Sequence, residues 1–271
     1  MSDKKYLFPL SIQLTLPDDY HAYGEFKEQL ALLQEFGFSG VELNIADPVT
    51  VECEDMVEFL RGYGLRMTMF ASGLSAKTFG LSLSHEDREI RKKTVEKSRE
   101  FIDFAQNMDV GIIVGFLQGG VAADIDGSRE RFRDTLAEIA PYAQEKKVPF
   151  IIETVNRYIS SVTSTLENTY RLIEEYKGAY IRILPDTFHM NIEEADMYEA
   201  LKKYAPYYGS IHYSDNNRLS PGLGAIDFEK LTRFLVDIGY KGGIAIEAEI
   251  KESFAEDLKA SMAYLTPMLQ R

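Results

Sequence analysis

Short apolar runs of β character alternate along this chain with longer stretches of helical period. The β-like runs are Leu7–Leu14, Gly40–Asn44, Arg66–Phe70, Gly111–Phe116, Pro149–Glu153, Ile181–Pro185, Ser210–Tyr213 and Ile244–Glu247. Between them lie helical stretches at Glu25–Phe36, Val51–Tyr63, Glu86–Met108, Ser128–Lys146, Thr165–Tyr176, Met197–Ala205, Phe228–Ile238 and Phe254–Leu269. Strict alternation of this kind predicts right-handed βαβ units and a parallel sheet. The third helix shows its buried face most plainly. Ile90, Thr94, Val95, Ser98, Phe101, Ile102, Ala105 and Met108 recur at three- and four-residue steps, the period of one helix face. Ser84, ahead of Glu86 and Asp87, predicts an N-cap with acids in the first turn, where the helix dipole favours them. Gly37, Gly64 and Gly239 each follow a helical stretch, where a left-handed residue costs glycine least.

No linker, low-complexity tract, charge block or internal repeat divides the chain. A doubly wound open sheet would advertise a glycine-rich phosphate loop after its first strand. Here that strand runs into Gln13-Leu14-Thr15-Leu16-Pro17. The pattern therefore predicts an α/β fold, a single (β/α)8 TIM barrel over residues 1–271, at a length ordinary for that architecture.

Composition narrows what such a barrel would do. Apolar residues make up 45% and charged residues 27%, enough for a large core and unlike a disordered chain. No run approaches the roughly 20 apolar residues that cross a bilayer. Met1-Ser2-Asp3-Lys4-Lys5 leads straight into the first strand, whose apolar stretch is broken by Ser11, Gln13 and Thr15, so a signal peptide is not expected. Cys53 is the only cysteine, which excludes an intrachain disulfide and suits the reducing cytoplasm. With 43 acids against 30 bases the net charge is −13, and the densest basic segment, Arg88 to Arg99, is interleaved with Glu89 and Glu96. Nucleic acid is not the expected partner, because such proteins carry a basic face. A small polar substrate is.

Active sites of parallel barrels gather at the C-terminal ends of the strands. Four successive strands end there in polar residues: Glu153, Asp186, His212 and Glu247. One acid at a strand end is usually a solvated loop residue or a helix cap. Four in succession, each about one βα unit from the last, aim three carboxylates and one imidazole at the same place. Such a group repels itself unless a cation neutralises it. Hard oxygens with one nitrogen suit a divalent ion, Mn²⁺ with Mg²⁺ or Co²⁺ as alternatives, over a thiolate-preferring metal.

The runs Glu153-Thr154-Val155-Asn156-Arg157-Tyr158, Asp186-Thr187-Phe188-His189-Met190-Asn191 and His212 through Arg218, with Pro221-Gly222-Leu223-Gly224 before Asp227-Phe228, resemble the xylose isomerase-like TIM barrel superfamily. Within it they are most similar to the D-tagatose and D-psicose 3-epimerases. The first half of the chain matches more loosely, through Gly37-Phe38-Ser39-Gly40-Val41-Glu42 and Ser72-Gly73. The resemblance implies that Glu153, Asp186, His212 and Glu247 hold one metal ion. It further implies that Glu153 and Glu247 are the acid/base pair and that His189 and Arg218 contact a sugar substrate. It also implies a homo-oligomer, a dimer or tetramer. The chemistry agrees: a proton next to a carbonyl leaves readily only if the enediolate is stabilised, and inversion needs a base on each face.

One position departs from the pattern. The epimerases carry a glutamate directly after the Asn-Arg-aromatic triplet, where it contacts the substrate; here it is Ile159. That leaves open which sugar and which carbon react, and keeps an aldose–ketose or hydroxypyruvate-type isomerase and an inosose dehydratase in view. An endonuclease IV-like enzyme, which uses several metals and more histidines, and a non-catalytic sugar-binding barrel are disfavoured. Among lesser signals, Glu42 borders the pocket or makes a structural ion pair. His21 and His85 are expected in solvent, and Met67, Met69, Phe101 and Phe104 in the core. Asn156 and Arg157 are expected to brace a loop, and Asp215 to stand behind the metal-bound histidine.

Overall fold

Proline at position 9 has no N–H to give a sheet, and the first strand begins only after it, at Leu10. The preceding Leu7 instead donates its N–H to the carbonyl of Leu269 (2.7 Å) in the last helix. The structure, a computed structural model, describes residues 6–176 and 180–270; the reading made of Met1–Lys5 lies outside them. The strands are β1 Leu10–Thr15, β2 Gly40–Asn44, β3 Arg66–Ala71, β4 Gly111–Val114, β5 Phe150–Glu153, β6 Ile181–Leu184, β7 Ser210–Tyr213 and β8 Gly243–Ile246. The helices are α1 Gly24–Phe36, α2 Cys53–Gly62, α3 Gly73–Phe79, α4 Arg88–Met108, α5 Ile125–Lys146, α6 Leu166–Ile173, α7 Thr187–Glu193, α8 Met197–Tyr204, α9 Phe228–Asp237 and α10 Phe254–Leu269.

The pairings between these strands are all parallel, in the order β6-β5-β4-β3-β2-β1-β8-β7. The β6–β7 seam is closed by one bridge between Asp186 and His212, with the His212 N–H donating to the Pro185 carbonyl at 2.9 Å. The (β/α)8 barrel expected from the alternation is the observed fold. None of the described helices is long and apolar enough to cross a membrane.

Side chains alternate across each strand. Outward residues such as Ile12, Val41, Phe70, Ile112, Ile152, Ile183, Ile211 and Ile246 pack under the helices into the main core. Inward, Ala71, Ile113, Ile151 and Leu184 form a small plug with Met69 against it. On α4 the expected face is buried from Thr94 through Met108, joined by Phe104, with Ile90 at its edge.

The helix starts need correction. Asp87, not Ser84, caps α4, its carboxylate accepting the Glu89 N–H at 2.8 Å. Ser84 is buried, and its carbonyl takes the Arg131 guanidinium at 3.0 Å. Asp124 likewise starts α5 three residues early by accepting the Gly127 N–H at 2.9 Å. The short helices α3 and α7 lie beyond the eightfold alternation. α7 exists because Asp186 caps it through the N–H groups of Phe188 and His189.

Candidate metal centre

Alternation from Ile151, Leu184, Ser210 and Ala245, all buried, turns the residues two positions on into the barrel mouth. Those residues are Glu153, Asp186, His212 and Glu247. One ligand atom from each lies within 4.8 Å of all the others. His212 Nδ1 sits 2.7 Å from Glu247 Oε2, 3.6 Å from Glu153 Oε1 and 3.8 Å from Asp186 Oδ2. The Glu153 Oε1 atom is buried with no hydrogen-bond partner, and a bare carboxylate oxygen is costly there unless a cation meets it. Its backbone carbonyl is pinned by Gln118 Nε2 and the Thr163 hydroxyl, both at 3.2 Å. Room for its carboxylate comes from Gly115, where a Cβ would stand 2.2 Å from Oε2. These residues fit a divalent ion.

Arg218 joins the cluster from the loop after β7. Its guanidinium reaches Asp186 Oδ2 at 2.6 Å and Glu247 Oε1 at 2.9 Å, and lies 5.1 Å from the Phe188 ring centroid. The Arg218 backbone is left-handed at φ 65°, a conformation that needs support in a residue with a Cβ. Its N–H donates to the Asp215 carbonyl (2.9 Å), and its carbonyl accepts the Glu249 N–H (2.8 Å). The buried Asp215 carboxylate takes the N–H groups of Asn216, Gly222, Gly224 and Ile226 at 2.8–2.9 Å. Asp215 therefore organises the loop that carries Arg218 and does not stand behind His212. That place belongs to Glu42, whose Oε2 is 2.9 Å from His212 Nε2.

His189, on α7, is buried beside the cluster. The Asn156 N–H donates to its Nδ1 (3.2 Å), with Asn156 Nδ2 2.8 Å from the same atom. A ring nitrogen that accepts carries no proton, so the proton sits on Nε2. Arg157 forks onto Glu193 at 2.7–2.8 Å, bracing the loop as expected. Asn156 does more, since it sets the His189 tautomer. His21 and His85 are on residues at the surface, His21 against Asp55 at 2.6 Å.

The electrostatics split the two glutamates. Burial, reinforced by the charge of Glu247, pushes Glu153 up. Burial also opposes charge on Glu247, but Arg218 and then His212 outweigh it and hold that carboxyl well below the ordinary range. Burial opposes the His212 cation too, yet Glu42 and Glu247 raise it well above an ordinary imidazole. A cavity of about 540 Å³ lies apart from the cluster, walled by residues of β1, α1 and α10 such as Gln13, Phe26 and Phe254, and none of the four clustered residues lines it.

A family model described as xylose isomerase-like TIM barrel matches residues 30–268. A D-psicose 3-epimerase of Enterocloster bolteae is 28% identical over 83% of this chain and 77% of its own length. A 3-dehydro-D-guloside 4-epimerase of Escherichia coli is 27% identical over 88% of this chain and 93% of its own. Among solved structures, a 3-keto-D-glucoside 4-epimerase from E. coli superimposes with a TM-score of 0.82 at 23% identity, covering 96% of this chain and 99% of that one. At that identity the last match speaks for the fold.

Proposed function

The chain belongs to the xylose isomerase-like TIM barrel family, and from that premise we propose that it is a metal-dependent epimerase of a ketose or keto-sugar. The observation that carries the reading is that Glu153, Asp186, His212 and Glu247, from the ends of four successive strands, bring one ligand atom each within 4.8 Å of one another, with the two glutamates arriving from β5 and from the end of β8. A divalent ion held by Glu153, Asp186, His212 and Glu247, with Mn²⁺ the first choice and Mg²⁺ or Co²⁺ alternatives, would neutralise the charge that develops on the substrate oxygens. One glutamate takes the proton beside the carbonyl; the other returns a proton to the opposite face. The His189 Nε2–H donates to the oxygen gaining charge, and Arg218 orients a hydroxyl. The reading carries with it a cytoplasmic homo-oligomer.

The test is a panel of ketohexoses, shorter ketoses and 3-keto-glycosides incubated with metal-loaded protein, products separated by chromatography. An epimer of at least one is expected. An aldose as the only product would replace epimerase with isomerase, and no conversion anywhere would overturn the reading.

Ile159 bears on which substrate wins. An aliphatic side chain leaves a substrate hydroxyl unpaired where the related enzymes place a glutamate. Ile159 is nearly half exposed (46%), so water softens the loss to about 1 kcal/mol, roughly a fivefold disadvantage for ketohexoses. Shorter or deoxygenated ketoses should show the higher kcat/KM in wild type, and Ile159→Glu should shift preference back. A wild type whose best substrate is D-psicose or D-tagatose would refute this.

A further inference from the structure

Among the described residues, Glu42 is the one buried carboxylate in contact with the cluster that the proposed chemistry does not use. It arrives from β2, across the barrel from β7, and is 1% exposed against a fully buried His212. Its Oε2 stands 2.9 Å from His212 Nε2, while Nδ1 of the same ring faces Glu247, Glu153 and Asp186. The β2–β3 ladder is irregular beside it. The β2–β3 register shifts between Val41 and Glu42, leaving Thr68 as an extra residue whose hydroxyl donates to the Val41 carbonyl at 3.0 Å. β2 and β3 can approach this closely because residue 40 is glycine: a Cβ there would lie 2.3 Å from the Arg66 carbonyl oxygen.

We propose that Glu42 is a positioning residue that keeps a proton on His212 Nε2 and so presents the Nδ1 lone pair to the metal ion. A histidine offers a metal only an unprotonated nitrogen, and the partner of its other nitrogen decides which one that is. A buried carboxylate only accepts, so the Nε2 side of the ring must donate. The 2.9 Å contact and the two burials fix the ring plane as well, because rotation about the side chain would strand both groups. The inference rests on the metal reading above and adds a residue to it.

The test is calorimetric titration of the full chain with Mn²⁺ after chelation and dialysis, for wild type, Glu42→Gln and Glu42→Ala. The tautomer is read separately, from ring ¹⁵N shifts of His212 with diamagnetic Mg²⁺. Wild type should bind one ion with the ring proton on Nε2. Glu42→Ala should bind about 10- to 100-fold more weakly and lose the single tautomer. Glu42→Gln keeps an acceptor oxygen and should recover part of the affinity and the Nε2 proton. If Glu42→Ala does not fold, Glu42→Gln decides alone: an affinity reduced by less than Glu42→Ala would lose but clearly below wild type supports the proposal, and an affinity equal to wild type overturns it. Folded Glu42→Ala binding within about twofold of wild type overturns it directly. A wild type that takes up no ion overturns the metal reading first, and the role of Glu42 with it.

Discussion

Changing Glu247 to glutamine is expected to lower turnover by about 10² or more, the usual scale for losing a general base, while the ion stays bound more weakly. The amide keeps an oxygen for the ion and for the Arg218 guanidinium, now 2.9 Å from Oε1, so the geometry survives. What disappears is the charge and the ability to accept a proton. Arg218 and His212 keep Glu247 ionised against its burial, so the carboxylate that the proposed reaction needs is present in the wild type and absent from the amide. The measurement is kcat at saturating metal, with metal content determined on the same sample. Activity within tenfold of wild type would remove Glu247 from proton transfer.

Stripping the ion with a chelator is expected to take turnover to background, and adding Mn²⁺ to restore it with release of protons. The sign follows from His212. Burial disfavours its cation, but Glu42 and Glu247 raise it well above the ordinary imidazole value. In the chelated protein this raised group stabilises the fold fully below about pH 6.5, the ordinary value. That contribution is lost as pH rises through the higher folded value. Below that folded value an ion must displace the proton on Nδ1. Its affinity therefore falls as pH is lowered, by about tenfold per unit for each proton expelled. Calorimetry in buffers of different ionisation enthalpy counts the protons; the expected number at neutral pH is one or more. Ion uptake with no proton released would contradict the assigned ligand set.

The barrel was legible because its signal is redundant. Eight apolar runs recur at βα spacing, and an error of a few residues at Leu7, which Pro9 keeps out of the sheet, changes nothing downstream. The cluster was legible for a related reason. Glu153, Asp186, His212 and Glu247 each close a run whose preceding inward residue is apolar or small, so alternation alone aims them at the mouth. Contacts across the barrel were not legible. Glu42 meets His212 only when β2 and β7 face each other over the closed interior, and no sequence period encodes that. Asp215 misled for the same reason: three residues from His212 in sequence, it turns away to bind the backbone of its own loop. Helix starts went astray where a nearer acid outcompeted a hydroxyl. Asp87 takes the Glu89 N–H, and Ser84 is drawn into the interior instead.

The most direct test of two-base proton transfer at this centre is epimerisation in D₂O by the Mn²⁺-loaded protein, with deuterium located by NMR in the inverted product. A proton removed by one glutamate and replaced from the other, which exchanges with solvent, should leave one deuterium at the carbon that inverts and none elsewhere. Inverted product carrying no deuterium would contradict the account.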